Sequence, residues 1–200
     1  MEALRFDNPF DWLHFELDKA KSRGEPEPTA MSLSTFDPEL GRPDVRVVLY
    51  KGIREGGLSF FTNYNSPKSQ ALQKFPKATL NFYWPSLFQQ VRVWGDVARL
   101  SRQSSEEYFA TRPRLSQLGA WASQQSEKLS SYEDLQKKIE ELDRQFVNQS
   151  IPCPPHWGGW VLKPEGFEFW YGRDGRLHER YRMLRTSPNL DRWELSLLSP

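Results

Sequence analysis

Two hundred residues suffice for one domain with a real core and are too few for two enzyme-sized domains. Lys and Arg number 27 against 26 Asp and Glu, a net charge of +1, which excludes bulk attraction to nucleic acid or to a membrane surface and makes any anion site local. Cys153 is the sole cysteine, which excludes an internal disulfide and a cysteine-based zinc site and fits a reducing, cytoplasmic compartment.

Asn8-Pro9 followed by Phe10, Leu13, Leu17 and Ala20 predicts a capped amphipathic helix ending near Gly24, so residues 1–24 form an N-terminal helical segment. Strands are predicted over 30–36, 43–51 and 58–62, separated by turn-rich segments at 37–42 and 54–57. Ser66-Pro67 opens a short helix carrying Ala71, Leu72 and Phe75, with an N-terminus suited to an anion. Strands over 78–84 and 88–100 follow, the second long enough to bend at Gly95. From Ser104 the pattern turns helical through Tyr108 and Phe109, and another helix begins at Ser130 with a capping box ending in Glu133. Beyond Pro152-Cys153-Pro154-Pro155, strands are predicted over 159–163, 167–171, 177–184 and 193–198. The fold class is mainly β with peripheral α-helices, a closed antiparallel barrel in a single domain spanning 1–200.

Dinucleotide and mononucleotide glycine motifs are missing, so a nucleotide must be held mainly by side chains. His14, His156 and His178 lack metal-ligand spacing, and no metal is expected. No nucleophile motif is present. The chemistry rests instead on cations set among aromatic and amide side chains. Period-two alternation puts Arg46 and Lys51 on opposite faces of one strand. Within residues 108–116, the Tyr108 phenol, the Arg112 and Arg114 guanidinium groups and the Ser116 hydroxyl make a donor set that grips a phosphate dianion, although a polar helix end has the same composition. Gln124-Gln125-Ser126 offers amides and a hydroxyl for the edge of a heterocycle. Period-two spacing also aligns Arg176, His178 and Arg180 on one strand face, a repulsive row unless an anionic ligand meets it.

Read together, Arg46-Val47-Val48-Leu49-Tyr50-Lys51, Phe60-Phe61-Thr62-Asn63, Gln90-Val91-Arg92-Val93, Tyr108-Phe109, Arg112-Pro113-Arg114, Ser116-Gln117, Gly119-Ala120-Trp121, Gln125-Ser126, Trp157-Gly158-Gly159, Glu168-Phe169-Trp170 and Arg176-Leu177-His178-Glu179-Arg180 resemble the pyridoxamine 5'-phosphate oxidase family. The resemblance covers 25–200 and implies an FMN-binding split barrel with packed helices and a dimerisation region. It further implies a homodimer with FMN at the interface, oxidising pyridoxamine or pyridoxine 5'-phosphate to pyridoxal 5'-phosphate while oxygen becomes hydrogen peroxide. Carried over by position, Arg46 and Lys68 hold the FMN phosphate. Val47, Val48, Leu49, Lys51, Phe61, Thr62, Gln90, Gln125, Ser126, Trp170 and Arg180 surround the rest of the cofactor. Lys51, Tyr108, Arg112 and Ser116 grip the substrate phosphate, and Arg176 and His178 are the catalytic pair, over the substrate ring and opposite the flavin. The flavin carries the redox step and the protein supplies orientation.

Three positions depart from the family pattern. Pro67 stands where the family has Arg between Ser66 and Lys68, Gln89 stands for the Arg before Gln90, and Leu197 stands for the Arg of a terminal Arg-Leu-Ala-Pro. Losing one charge-assisted hydrogen bond at Pro67 implies roughly ten- to hundredfold weaker FMN binding. That loss leaves open a non-catalytic carrier of pyridoxal phosphate or flavin with the same fold. A flavin enzyme for another substrate is a further alternative, against which the Tyr108/Arg112/Ser116 set speaks.

Overall fold

The computed structural model describes residues 6–187 and 190–200. Helix α1 (Pro9–Ser22) starts where the sequence marks it: Asn8 Oδ1 accepts from Phe10 N at 2.9 Å with Pro at the first position, and Gly24 ends the segment at φ 79°. The helix buries Trp12, Leu13 and Ala20 completely, and Trp12 stacks on Phe169 with centroids 4.0 Å apart. That contact fixes the N-terminal segment to the sheet.

The sheet contains β1 (Ala30–Asp37), β2 (Arg42–Leu49), β3 (Ile53–Arg54), β4 (Gly57–Asn63), β5 (Lys77–Trp84), β6 (Gln89–Arg99), β7 (Trp157–Tyr171), β8 (Glu179–Ser187) and β9 (Leu190–Leu198). Its strand order is β2-β1-β5-β6-β7-β4-β3, with β8 and β9 branching from β7, and every pairing is antiparallel. Alternating burial along β1, β5 and β6 gives one face to a core built on Leu33, Leu80, Phe82, Val91 and Val93, as a half-buried antiparallel strand requires.

Two strand expectations are corrected by β7. The segments 159–163 and 167–171 are one strand of 15 residues. Its first part pairs with β4 and its last part with β8, so a single edge serves two neighbours and the sheet divides there. The bend expected at Gly95 is present as a register shift between Trp94 and Gly95 opposite Pro164. A Cβ at Gly95 would stand 2.1 Å from Lys163 O, so the close approach requires glycine, and the irregularity accommodates a proline that cannot donate to the ladder.

The closed barrel is also corrected, since the sheet is not closed. Strand β2 stops at Leu49, and Gly52 at φ 87° turns the chain into β3. Lys51 N donates to Ser59 O at 2.9 Å and Ser59 N to Gly52 O at 3.0 Å, so the join between the two ends of the sheet is local and the space between β2 and β4 stays open.

Helix α2 (Pro67–Lys74) begins at the expected Ser66-Pro67. Helix α3 (Arg102–Ala110) is capped by Ser101, whose hydroxyl accepts from Ser104 N at 3.1 Å, and so starts earlier than Ser104. Helix α4 (Arg114–Ala122) was not expected; it buries Leu118 and Ala122. Helix α5 (Tyr132–Gln145) is capped by Ser131, which accepts from Asp134 N at 3.0 Å. The box placed at Ser130 and Glu133 is therefore one residue out of register. A second core of Phe109, Leu118, Ile151, Cys153 and Trp157 lies under α3 and α4. Among the described residues no helix is long and apolar enough to cross a membrane.

Candidate active site

The opening between β2 and β4 is a cleft of about 630 Å³, within the usual range for small-molecule sites. Val47, Val48, Leu49 and Lys51 form one side, and Phe61 and Thr62 of β4 form the other. Lys68 and Gln125 stand toward one end, while Tyr108, Arg112 and Ser116 enter from α3, α4 and the link between them.

At the Lys68 end, Lys68 Nζ donates to Thr62 Oγ1 at 3.1 Å, Ser66 Oγ at 3.2 Å and Gln125 Oε1 at 3.2 Å. Burial, reinforced by the nearby Arg46 charge, pulls its pKa down to about 8. Arg46 is held by Thr35 Oγ1 at 2.8 Å, Leu33 O at 3.2 Å and an ion pair with Asp44. A desolvated ammonium beside a guanidinium is the arrangement that an anion relieves.

Farther along, Tyr108 stacks on Phe61 with centroids 4.0 Å apart. The Arg112 guanidinium lies 4.6 Å over the Trp157 ring and 5.6 Å from Phe109. Its Nη1 is shut off from solvent without a hydrogen-bond partner, and burial lowers its pKa. The Lys51 ammonium and the Tyr108 and Ser116 hydroxyls likewise make no side-chain hydrogen bond among the described residues. Four phosphate-type donors thus line one cleft with their capacity unspent.

The remaining expected residues lie elsewhere in the chain. Gln90 pairs with Trp170, and Trp170 with Arg180, at the far end of β7. Roughly 13 residues, or about 40 Å of extended strand, separate Trp170 from Trp157. None of Gln90, Trp170, Arg176, His178 or Arg180 lines the cleft. Ser126, at φ 71°, borders a separate hollow against α5, so of the Gln125-Ser126 pair only Gln125 faces the cleft.

The strand row of Arg176, His178 and Arg180 is corrected. Arg176 sits in a 3-10 turn over Asp174–Arg176 at φ 62°, and β8 begins only at Glu179. Period-two alignment needs extended backbone, which the Asp174-Gly175 turn withholds until His178 has passed. His178 is placed instead by its neighbours. Its ring is 4.6 Å from Trp170, and its Nδ1 accepts from Arg173 N at 3.1 Å, which puts the proton of the neutral ring on Nε2 and leaves that N–H free to donate.

Arg180 reaches Glu168 Oε1 with Nε at 3.2 Å and Nη2 at 3.0 Å, and Ser199 O with Nη1 at 2.9 Å. Glu168 is 2% exposed and also faces Arg182 at 3.4 Å and Arg92 at 3.9 Å. Sequence reasoning had assigned no role to Trp157 as the platform under Arg112, or to Glu168 as the counter-charge of Arg180. Both occur in the quoted motifs, and that was the only signal available. Buried Gln89, whose Nε2 lacks a partner, and exposed Leu197 also stand away from the cleft.

Residues 17–146 match the family model described as pyridoxamine 5'-phosphate oxidase, and residues 157–200 match the pyridoxine 5'-phosphate oxidase C-terminal dimerisation region. Among curated relatives, the pyridoxine/pyridoxamine 5'-phosphate oxidase of Bdellovibrio bacteriovorus is 44% identical over 193 residues, covering 96% of this chain and 97% of the relative. The protein of that name from Rubrobacter xylanophilus is 48% identical over 183 residues, covering 92% and 82%. Among solved structures, PhzG from Burkholderia lata, in complex with tetrahydrophenazine-1-carboxylic acid, superimposes with TM-score 0.90 at 28% identity over 98% of this chain and 94% of that one. A pyridoxamine 5'-phosphate oxidase-related, FMN-binding protein from Nostoc punctiforme, at TM-score 0.75 and 18% identity over 93% and 96%, shares the fold. The chain belongs to the pyridoxamine 5'-phosphate oxidase family.

Proposed function

We propose that the chain is a cytoplasmic, homodimeric, FMN-dependent oxidase that converts pyridoxamine or pyridoxine 5'-phosphate to pyridoxal 5'-phosphate, with oxygen reduced to hydrogen peroxide. The observation that carries this reading is the set of unpaired donors in the cleft. Lys51, Tyr108, Arg112 and Ser116 match the needs of a phosphate monoester, and among the described residues no side-chain hydrogen bond or ion pair satisfies them. The Lys68 end fits the FMN phosphate, because Lys68 and Arg46 are two neighbouring cations and the carboxylate paired with Arg46, Asp44, is exposed. Val47, Val48 and Leu49 offer an apolar wall for a flat ring. When bound, FMN supplies the hydride acceptor and passes two electrons on to oxygen.

The protein's part is orientation. Arg112, 4.6 Å over Trp157, offers a planar set of donors, and Lys51 adds a point charge. Arg176, His178, Trp170 and Arg180 enter from the partner subunit. This accounts for their absence from the cleft in one chain and for their location within the matched dimerisation region. His178 Nε2–H then donates toward the substrate ring. Holding both rings face to face supplies the effective concentration that the reaction needs.

Anaerobic addition of pyridoxamine 5'-phosphate to the flavin-loaded protein tests this. The flavin absorption should bleach and return with air as peroxide appears; an unchanged spectrum at saturating substrate would refute the reading. Mixing Arg112→Gln and His178→Ala subunits tests the shared site, because a mixed dimer regains one intact site where either variant alone has none.

A further inference from the structure

Arg54 belongs to the two-residue strand β3 and pairs with Gly57 across the tight turn at Glu55-Gly56, where both turn residues take positive φ, 48° and 81°. The turn is pinned to helix α3. Glu55 Oε1 accepts from Ser101 N at 3.0 Å and from Ser104 Oγ at 2.9 Å. Ser104 and Tyr108 are four residues apart and share one face of that helix. Anchoring Glu55 on Ser104 thereby sets Arg54 beside Tyr108, and its guanidinium carbon lies 5.8 Å from the ring centroids of both Phe61 and Tyr108.

Arg54 Nε is closed off from solvent without a hydrogen-bond partner, and among the described residues no carboxylate is within ion-pair reach of Arg54. A partly desolvated guanidinium with only ring faces for company is costly unless negative charge arrives nearby. The Phe61–Tyr108 stack that Arg54 touches is a wall of the cleft, and Tyr108, Arg112 and Lys51 are the unpaired donors there.

We infer that Arg54 is a specificity-determining residue which, from behind the Phe61–Tyr108 wall, favours a phosphate dianion in the cleft over an uncharged analogue of the same ring. The inference rests on the proposed substrate-phosphate site and deepens it. Arg54 lies against the Phe61 and Tyr108 rings that line the cleft, and a charge that acts across apolar rings is less screened than one that acts through solvent. Arg54 touches no ligand. It acts through Tyr108, by holding the phenol against Phe61 and by adding positive potential at its hydroxyl.

The experiment is a titration of the flavin-loaded protein with pyridoxal 5'-phosphate and, separately, with pyridoxal, for the unaltered chain, Arg54→Gln and Arg54→Lys. Arg54→Gln should weaken binding of the phosphate about three- to tenfold and leave pyridoxal unchanged, while Arg54→Lys recovers most of the loss. Equal weakening of both ligands, equal weakening by both substitutions, or no change would overturn the inference. If the unaltered chain fails to prefer pyridoxal 5'-phosphate over pyridoxal, the proposed function fails first and takes this inference with it.

Discussion

In the cleft, Lys51 and Arg112 have no carboxylate within ion-pair reach among the described residues, whereas at the far end of β7 three guanidinium groups, from Arg92, Arg180 and Arg182, converge on the buried carboxylate of Glu168. The first arrangement is costly until an anion enters, so its energy is available to binding. The second shares one buried carboxylate among its cations, so they are held in place without ligand and contribute geometry. On the proposed function, one chain keeps a receptive half-site and a rigid half-site at opposite ends of a single strand.

Removing the counter-charge is the severest way to break that contrast. Glu168→Ala leaves three guanidinium groups facing one another over a buried gap and should cost about 3 kcal/mol, a fall of roughly 6–12 °C in Tm for a chain of this size. A calorimetric shift below about 2 °C would mean that the far end is not held by this carboxylate. Arg112→Gln is the opposite case. It removes a cation whose only partners are the Trp157 and Phe109 rings, so Tm should fall by no more than about 4 °C, while affinity for pyridoxal 5'-phosphate drops about 30-fold, the worth of one charge-assisted hydrogen bond. A large loss of Tm with little loss of affinity would make Arg112 a structural residue and the contrast false.

The same contrast explains what could be read from the sequence. Strands β1, β5 and β6 were legible because alternation of apolar side chains is a one-dimensional trace of a half-buried sheet. The continuity of β7 was hidden, because Pro164-Glu165-Gly166 reads as a turn when it is the irregular part of one strand facing Gly95. Helix α4 was hidden by Pro113, which reads as an interruption and in fact sits at the helix cap. The imagined row of Arg176, His178 and Arg180 failed because Asp174-Gly175 takes the chain out of extended conformation. The paired end was not legible, since Arg180 read as part of a row awaiting an anionic ligand and the register that sets Glu168 against Arg182 and next to Arg180 exists only in the folded sheet. Of the unpaired half, Tyr108, Arg112 and Ser116 could be read as donors for a phosphate dianion, a composition that a polar helix end shares, whereas Lys51 and Lys68 were tied to the same site only through family resemblance, because the missing partner is a ligand.

Proton linkage gives a finer test at Lys68, whose folded pKa is lowered from 10.5 to about 8. Between about pH 8 and 10.5 the unfolded chain binds a proton that the folded, ligand-free chain does not, so stability should rise with pH across that window. Anion binding runs the other way, since FMN phosphate prefers the charged ammonium. FMN affinity should be flat below about pH 7.5 and fall by up to about tenfold as pH rises through 8 and above. Lys68→Met should bind FMN more weakly and lose the pH dependence between 7 and 9. A titration in which both proteins show the same slope would assign the effect to another group.

The smallest expected effect comes from placing at position 67 the arginine that the family resemblance leads one to expect there. Pro67 is exposed at the first position of α2, next to Lys68, so an arginine there adds a third cation beside Arg46 and Lys68 without entering the core. Two consequences should then separate. Ligand-free stability falls by up to about 1 kcal/mol, because the unfolded chain regains the freedom that proline removes and the folded chain gains like-charge repulsion. FMN affinity rises about three- to tenfold, because the phosphate gains one charge-assisted donor, partly offset by the entropy of ordering a long side chain. Opposite signs for the two effects are the signature of the receptive half-site, in which charge that destabilises the empty protein strengthens the filled one. If Pro67→Arg instead leaves FMN affinity unchanged while stability falls, the helix start set by Ser66-Pro67 already meets the needs of the phosphate, and the departure from the family pattern at this position carries no cost in binding.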